Sequence, residues 1–203
     1  MNQRFEKIIS GVFHPVLIPS YMLLVMMNQS YYYVYILTLK GKFILFGISF
    51  LFTAFFPLAM IFILLKKKWI ASLTMHSREE RIYPLFITSI LYFSTYYLFR
   101  QSSVFPVFEV FLLGSIMLIT IALLTNFFWK ISIHCLALGG VVGTFIGLSA
   151  RYNIANMYQI IITILLSGIV AYSRLALREH SSLQVYTGFT TGAVVMFLLF
   201  FML

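Results

Sequence analysis

Seven apolar segments, each about long enough to cross a bilayer, constrain the fold of this chain more than any other feature. They are residues 11–27, 43–65, 82–99, 104–128, 131–150, 154–172 and 185–203. Lipid offers no water to the backbone polar groups, so spans of this kind are helical. We therefore predict an all-α polytopic transmembrane helical bundle of six or seven spans, in a single integral-membrane domain over residues 1–203. The count stays open because Pro15 and Pro19 can make the first segment re-entrant instead.

The composition agrees with a protein that lives in lipid. Of its 203 residues 62% are hydrophobic and 9% are charged, against about 25% charged residues in a soluble domain. All five acidic residues are Glu, which excludes the Asp-rich motifs that hold Mg²⁺-diphosphate. The net charge of +9 suits anionic lipid head groups or phosphate, although loops beside a membrane are also basic for topological reasons. We predict membrane lipids as partners and no nucleic acid.

Polar residues gather in three clusters at the ends of the apolar segments. The clusters are 76–81, 130–134 and 173–184. Short turns join neighbouring segments into antiparallel hairpins, so the start of one segment and the end of the next share a membrane face. We therefore predict that the three clusters converge on one site. The segment that follows the second cluster carries small residues that allow close helix packing in lipid, namely Gly139, Gly140, Gly143 and Gly147.

The converging side chains have the chemistry of an anion site. They are Arg78, Arg81, Lys130, Ser132, His134, Arg174, Arg178, His180 and Gln184. Arginine recognises an anion such as phosphate through paired N–H groups, and lysine acts as a point charge. Two histidines on separate helices can divide the roles of nucleophile and general acid. Gln184 lies one helical turn after His180, so we predict that its amide orients that imidazole.

The last cluster also resembles a known family. Ser173-Arg174, five further residues and His180 are similar to the third signature of the type 2 phosphatidic acid phosphatase (PAP2) family, Ser-Arg-x5-His-x3-Asp. Lys130-Ile-Ser-Ile-His134 resembles a degraded form of the second signature, Pro-Ser-Gly-His. The run from Arg78 to Pro84 is loosely similar to the first, Lys-x6-Arg-Pro. The order and rough separation of the three signatures agree, over a phosphatase-like core of about 43–203.

The resemblance implies an activity and a role for each residue. The protein would remove phosphate from a lipid phosphate or pyrophosphate without a metal or other cofactor, in a bacterial inner membrane. His180 would be the nucleophile that forms a phosphohistidine, and His134 would protonate the leaving oxygen. Gln184 would orient His180. The residues implied to bind the phosphate oxygens are Arg174, Arg81, Arg78, Ser132 and Lys130.

Besides the Lys that is missing from the first signature, three positions in the second and third signatures depart from the family pattern and keep an alternative open. Gln184 stands where the family has the Asp that supports the nucleophile, and Ile131 and Ile133 replace Pro and Gly. These changes favour a catalytically inactive relative that binds anionic lipid or serves as a membrane scaffold. The retained Arg174 and the two histidines favour the enzyme.

Two further histidines, His14 and His76, lie outside the predicted catalytic pair. His14 lies between Phe13 and Pro15, and we expect a structural role for it. His76, with the Glu79-Glu80 pair, has the residue types of a divalent-metal site, although we expect the pair to neutralise nearby arginines instead.

Overall fold

The computed structural model describes residues 3–29, 37–72, 75, 77–102, 106–152 and 156–202. These residues form helices that follow one another along the whole chain. The helices are α1 (Arg4–Val12), α2 (Ile18–Met27), α3 (Leu39–Lys66), α4 (Glu79–Gln101), α5 (Pro106–Asn126), α6 (Ile133–Tyr152), α7 (Met157–Ala176) and α8 (Ser182–Met202).

Six of the described helices, α3 to α8, are long and apolar enough to cross a membrane. Helix length and composition thus confirm the prediction of an all-α polytopic membrane protein with six or seven spans. The predicted first span, 11–27, is wrong. The chain leaves the helix after Val12, and α2 has only 10 residues, about half of what a bilayer core requires. Pro15 is the physical reason, because it lacks an N–H and disfavours helical backbone at His14.

The helices group into two compact units. One comprises residues 1–15 and 117–203, and the other comprises residues 16–116, so α5 passes from the second into the first. We call the first the histidine unit, because it contains both predicted catalytic histidines. We call the unit of residues 16–116 the second unit.

The backbones of α6 and α8 lie unusually close together in the histidine unit. A β-carbon on Gly139 or Gly143 of α6 would overlap the carbonyl groups of Phe189 and Ala193 on α8. Small residues at a spacing of four let two helices in lipid approach in this way, so the close packing predicted from the sequence is present. The two helices run in the same direction, which brings their first residues side by side.

Helix α1 presents its polar side to the rest of the histidine unit. Glu6 and Ser10 are buried, and the Gln3 amide donates a hydrogen bond to the carbonyl of Ala176, the last residue of α7 (3.3 Å). Phe5 and Ile8, in contrast, are 59% and 62% exposed. An amphipathic helix of a soluble protein buries its apolar side, whereas an outward apolar side is typical of a helix that lies in a membrane interface.

The second unit contains a local distortion in α3. Residues Leu51–Phe55 form a π-helical turn directly before Pro57, which has no N–H to donate to the preceding turn. The hydroxyl of Thr53 in this turn donates to the carbonyl of Ser49 and lies 3.0 Å from the hydroxyl of Ser20 on α2. The distortion thus accompanies a polar contact between α2 and α3.

The close approach of α6 and α8 leads to a matched pair of substitutions. We expect Gly143→Ala to lower the free energy of unfolding by about 1–3 kcal/mol, because its methyl group meets the backbone of α8. Gly168→Ala on α7 has no heavy atom within 4 Å of the new β-carbon, and the better helix propensity of Ala should make it neutral or slightly stabilising. Melting temperatures of the detergent-purified variants provide the measurement. Equal effects of the two substitutions would contradict the packing described here.

Candidate anion site

Two of the three polar clusters meet at one end of the histidine unit, where α6 and α8 begin and α7 ends. The backbone N–H of Ser132, just before α6, donates to the carbonyl of Gln184 in the first turn of α8 (3.3 Å). The turn after α7 folds back on that helix, since the N–H of Glu179 donates to the carbonyl of Arg174 (3.2 Å). The predicted convergence of residues 130–134 with 173–184 is therefore confirmed.

His180 is oriented by Gln184. The imidazole is buried, and its Nδ1 lies 2.9 Å from Oε1 of Gln184. The backbone N–H of Ser181 donates to the same oxygen (3.2 Å), so this atom acts as an acceptor and Nδ1 of His180 carries the proton. In the neutral ring, Nε2 then holds the lone pair. The hydrogen bond predicted between these two side chains is present.

The position of Gln184 follows from local sequence. Ser181 precedes α8, and Gln184 is its third residue. The N–H of Gln184 lies 3.4 Å from the hydroxyl of Ser181, and the Gln184 side chain accepts from the backbone of Ser181. This reciprocal arrangement is a capping box, which Ser-x-x-Gln sequences form at helix starts. The side chain that begins α8 therefore also holds His180.

Arg174 is a buried cation whose hydrogen bonds are only partly used. It is 5% exposed, and its Nη1 donates to the hydroxyl of Ser10 on α1 (3.2 Å). Nη2 lies 3.8 Å from a carboxylate oxygen of Glu179, which is longer than a hydrogen bond. Nε is buried without a hydrogen-bond partner among the described residues. Buried polar groups are normally satisfied, so Arg174 has capacity for an oxyanion.

The hydrogen bond of His134 is made to α1. Its Nε2 lies 3.2 Å from the carbonyl oxygen of Ser10, and a carbonyl only accepts, so Nε2 carries the proton. The ring of His14 approaches His134 edge-on, with centroids 5.7 Å apart. Ser10 was not among the site residues predicted from the sequence, and His14 was expected to have only a structural role. The polar pair Glu6 and Ser10, one turn apart on the same side of α1, was the signal available.

His14 is uncharged at neutral pH. Burial first, and the positive charge of Arg174 second, lower its pKa from 6.5 to about 4. The site therefore combines one buried cation with a neutral imidazole rather than two adjacent positive charges.

Three other predicted residues at this end of the histidine unit differ in burial. Lys130 is half-buried in the loop before α6, and Ser132 is buried there. Arg178 is exposed in the turn after α7, with a positive φ of 55° that is typical of a helix C-terminus.

Arg78 and Arg81 belong to the second unit. Arg78 is exposed, whereas Arg81 is buried and donates through Nε to the carbonyl of Met75 (3.1 Å). Their membership of the anion site stays a prediction.

The alternative of a divalent-metal site at His76 and the Glu79-Glu80 pair concerns the same part of the chain as Arg78 and Arg81. Among the residues that the structure describes, no group of three His, Cys, Asp or Glu side chains is arranged to hold a metal ion. His76 lies outside the described residues, so this alternative stays a hypothesis.

Comparison with known proteins found no matching family model, no similar curated protein and no similar solved structure. The site is therefore interpreted from its own geometry, and the resemblance to the PAP2 family stays a prediction.

The low pKa of His14 predicts that acid destabilises the protein. Between pH 6.5 and 4 the unfolded chain binds a proton at this position that the folded chain does not, so stability falls as the pH is lowered through this range. We expect the melting temperature to fall between pH 7 and pH 5. His14→Gln should reduce that fall, because Gln cannot be protonated, and the difference corresponds to about 2 kcal/mol of unfolding free energy at pH 5. The same acid sensitivity in both proteins would contradict the assignment.

Proposed function

We propose that this protein is a PAP2-like phosphatase that removes phosphate from a lipid phosphate or pyrophosphate through a phosphohistidine intermediate. One observation carries the proposal: Gln184 holds Nδ1 of His180 at 2.9 Å, which leaves the lone pair of the neutral ring on Nε2. A nucleophilic imidazole needs this tautomer and a fixed orientation. The guanidinium of Arg174, in the last turn of α7, has hydrogen-bonding capacity left and supplies the positive charge that a phosphate requires.

The proposed reaction has two displacements at phosphorus. Nε2 of His180 attacks, and the N–P bond forms as the bond from phosphorus to the lipid oxygen breaks. The resemblance assigns to His134 the proton that this leaving oxygen takes. Water then attacks phosphorus and gives one proton to His134 as the N–P bond breaks, which releases orthophosphate and restores both histidines. Arg174 would stabilise the negative charge of the phosphoryl oxygens in both steps, and Lys130, Ser132, Arg78 and Arg81 are proposed to assist it.

The location of the anion site supports a lipid substrate. It lies where α6 and α8 begin and α7 ends, and all three helices are long and apolar enough to span a membrane. The ends of such helices lie near the head-group layer. A lipid can therefore present its phosphate to Arg174 while its acyl or isoprenyl chains stay in the bilayer.

One contact favours a second candidate function. The Nε2 proton of His134 is donated to the Ser10 carbonyl, which leaves that proton engaged rather than available to a leaving group. Gln184, unlike a carboxylate, also gives no negative charge to stabilise a cationic His180. Both features favour a catalytically inactive PAP2-like protein that binds anionic lipid or acts as a membrane scaffold.

The two candidates are separated by phosphate release from purified protein. We expect the wild type to release phosphate from at least one of phosphatidic acid, phosphatidylglycerol phosphate and isoprenyl pyrophosphate, and His180→Ala to abolish the release. Gln184→Glu preserves the length of the side chain and the capping box, and a carboxylate makes a stronger hydrogen bond to an imidazolium. We therefore expect it to raise kcat about tenfold.

The melting temperature of each variant serves as the control for folding. Failure of both the wild type and Gln184→Glu to release phosphate, with normal melting temperatures, would contradict the phosphatase. Binding of anionic lipid vesicles by the same samples would then support the second candidate.

A further inference from the structure

We propose that Ser10 is a positioning residue of the anion site, which clamps one end of the Arg174 guanidinium so that its Nε–Nη2 edge binds the oxyanion. The inference rests on the anion site of the proposed function. It adds a residue from α1, outside the phosphatase-like core predicted from the sequence, and it assigns a binding mode to Arg174.

Ser10 contacts two of the helices that carry predicted site residues. Its hydroxyl accepts from Nη1 of Arg174 on α7 at 3.2 Å, and its carbonyl accepts from Nε2 of His134 on α6 at 3.2 Å. Ser10 is itself buried, at 8% exposure. A single residue of α1 therefore fixes the distance and orientation between the cation and the imidazole.

The Nε–Nη2 edge of the guanidinium has no hydrogen-bond acceptor among the described residues, although Nη2 forms an ion pair with Glu179. Nη1 is used by Ser10, whereas Nη2 is 3.8 Å from Glu179 and Nε is buried without a hydrogen-bond partner in the described part of the chain. In the planar guanidinium, Nε and Nη2 point their hydrogens to the same side. Such a pair is suited to two oxygens of one phosphate. An oxyanion bound there would supply the acceptor that the buried Nε–H lacks.

Ser10 acts on the end of the group opposite to this edge, so it does not compete with the anion for the same nitrogen. An arginine side chain has many rotamers, and anchoring one nitrogen before the ligand arrives lowers the entropy lost on binding. The contact should therefore increase the affinity for phosphate.

Gln3 provides a matched control on the same helix. Its amide donates to the carbonyl of Ala176 on α7 (3.3 Å), so Gln3→Ala weakens the attachment of α1 to α7. It leaves the hydroxyl of Ser10 in place. Comparison of Gln3→Ala with Ser10→Ala therefore separates a general effect of α1 docking from a specific effect of the Ser10 hydroxyl.

The test is calorimetric titration of the full chain in lipid nanodiscs with inorganic phosphate. We expect Ser10→Ala to weaken phosphate binding about fivefold, which corresponds to the cost of immobilising one rotamer-rich side chain on binding. Ser10→Thr, which keeps the hydroxyl, and Gln3→Ala should stay within about twofold of the wild type.

A second measurement follows Arg174 without any ligand. In protein labelled with ¹⁵N-arginine, the Nε–H resonance of Arg174 is the one that disappears in Arg174→Lys. Ser10→Ala should broaden this resonance and speed its exchange with water, whereas Gln3→Ala should leave it unchanged.

The outcomes separate this inference from the proposed function. Phosphate binding by Ser10→Ala that equals or exceeds the wild type would overturn the clamp, as would equal losses in Ser10→Ala and Gln3→Ala. Absence of phosphate binding by the wild type would contradict the anion site instead. In that case an unchanged Arg174 resonance in Ser10→Ala would overturn the clamp as well.

Discussion

The close contact between α6 and α8 is the interaction on which the candidate site depends. Gly139 and Gly143 let the backbone of one helix touch that of the other, and dispersion at such short range is a main source of association between helices in lipid. Because the helices run in the same direction, the contact brings Ser132 next to Gln184. A pair of helices held further apart would separate the two polar clusters that form the site.

Polar groups at that end of the histidine unit are satisfied across several helices. Gln184 caps α8 and holds His180, while Ser10 of α1 contacts both His134 and Arg174. Burial makes each unpaired polar atom costly, so these contacts limit the orientations available to the side chains. The buried Nε of Arg174 has no hydrogen-bond partner among the described residues, and this is the feature that most clearly indicates an anion.

Much of the fold and part of the site could be predicted from local sequence. Long apolar runs specify spans, and the spacing of His180 and Gln184 within one helical turn predicts their hydrogen bond, which is present. The predicted first span failed because Pro15 acts on backbone geometry that hydropathy does not measure. Ser10 and His14 were missed because the polar pair Glu6 and Ser10 does not show which helices α1 folds back onto.

Local sequence was enough to assign the class of protein and the residue types of the candidate site, since both depend on the chemistry and local spacing of the side chains. The spans follow from apolar length, and the capping box at Ser181 and Gln184 follows from a four-residue pattern. The partners of His134 and Arg174 were decided only by the tertiary structure. Ser10 lies 124 residues from His134 and 164 from Arg174, and contacts over such separations arise from packing of whole helices, which no local pattern encodes.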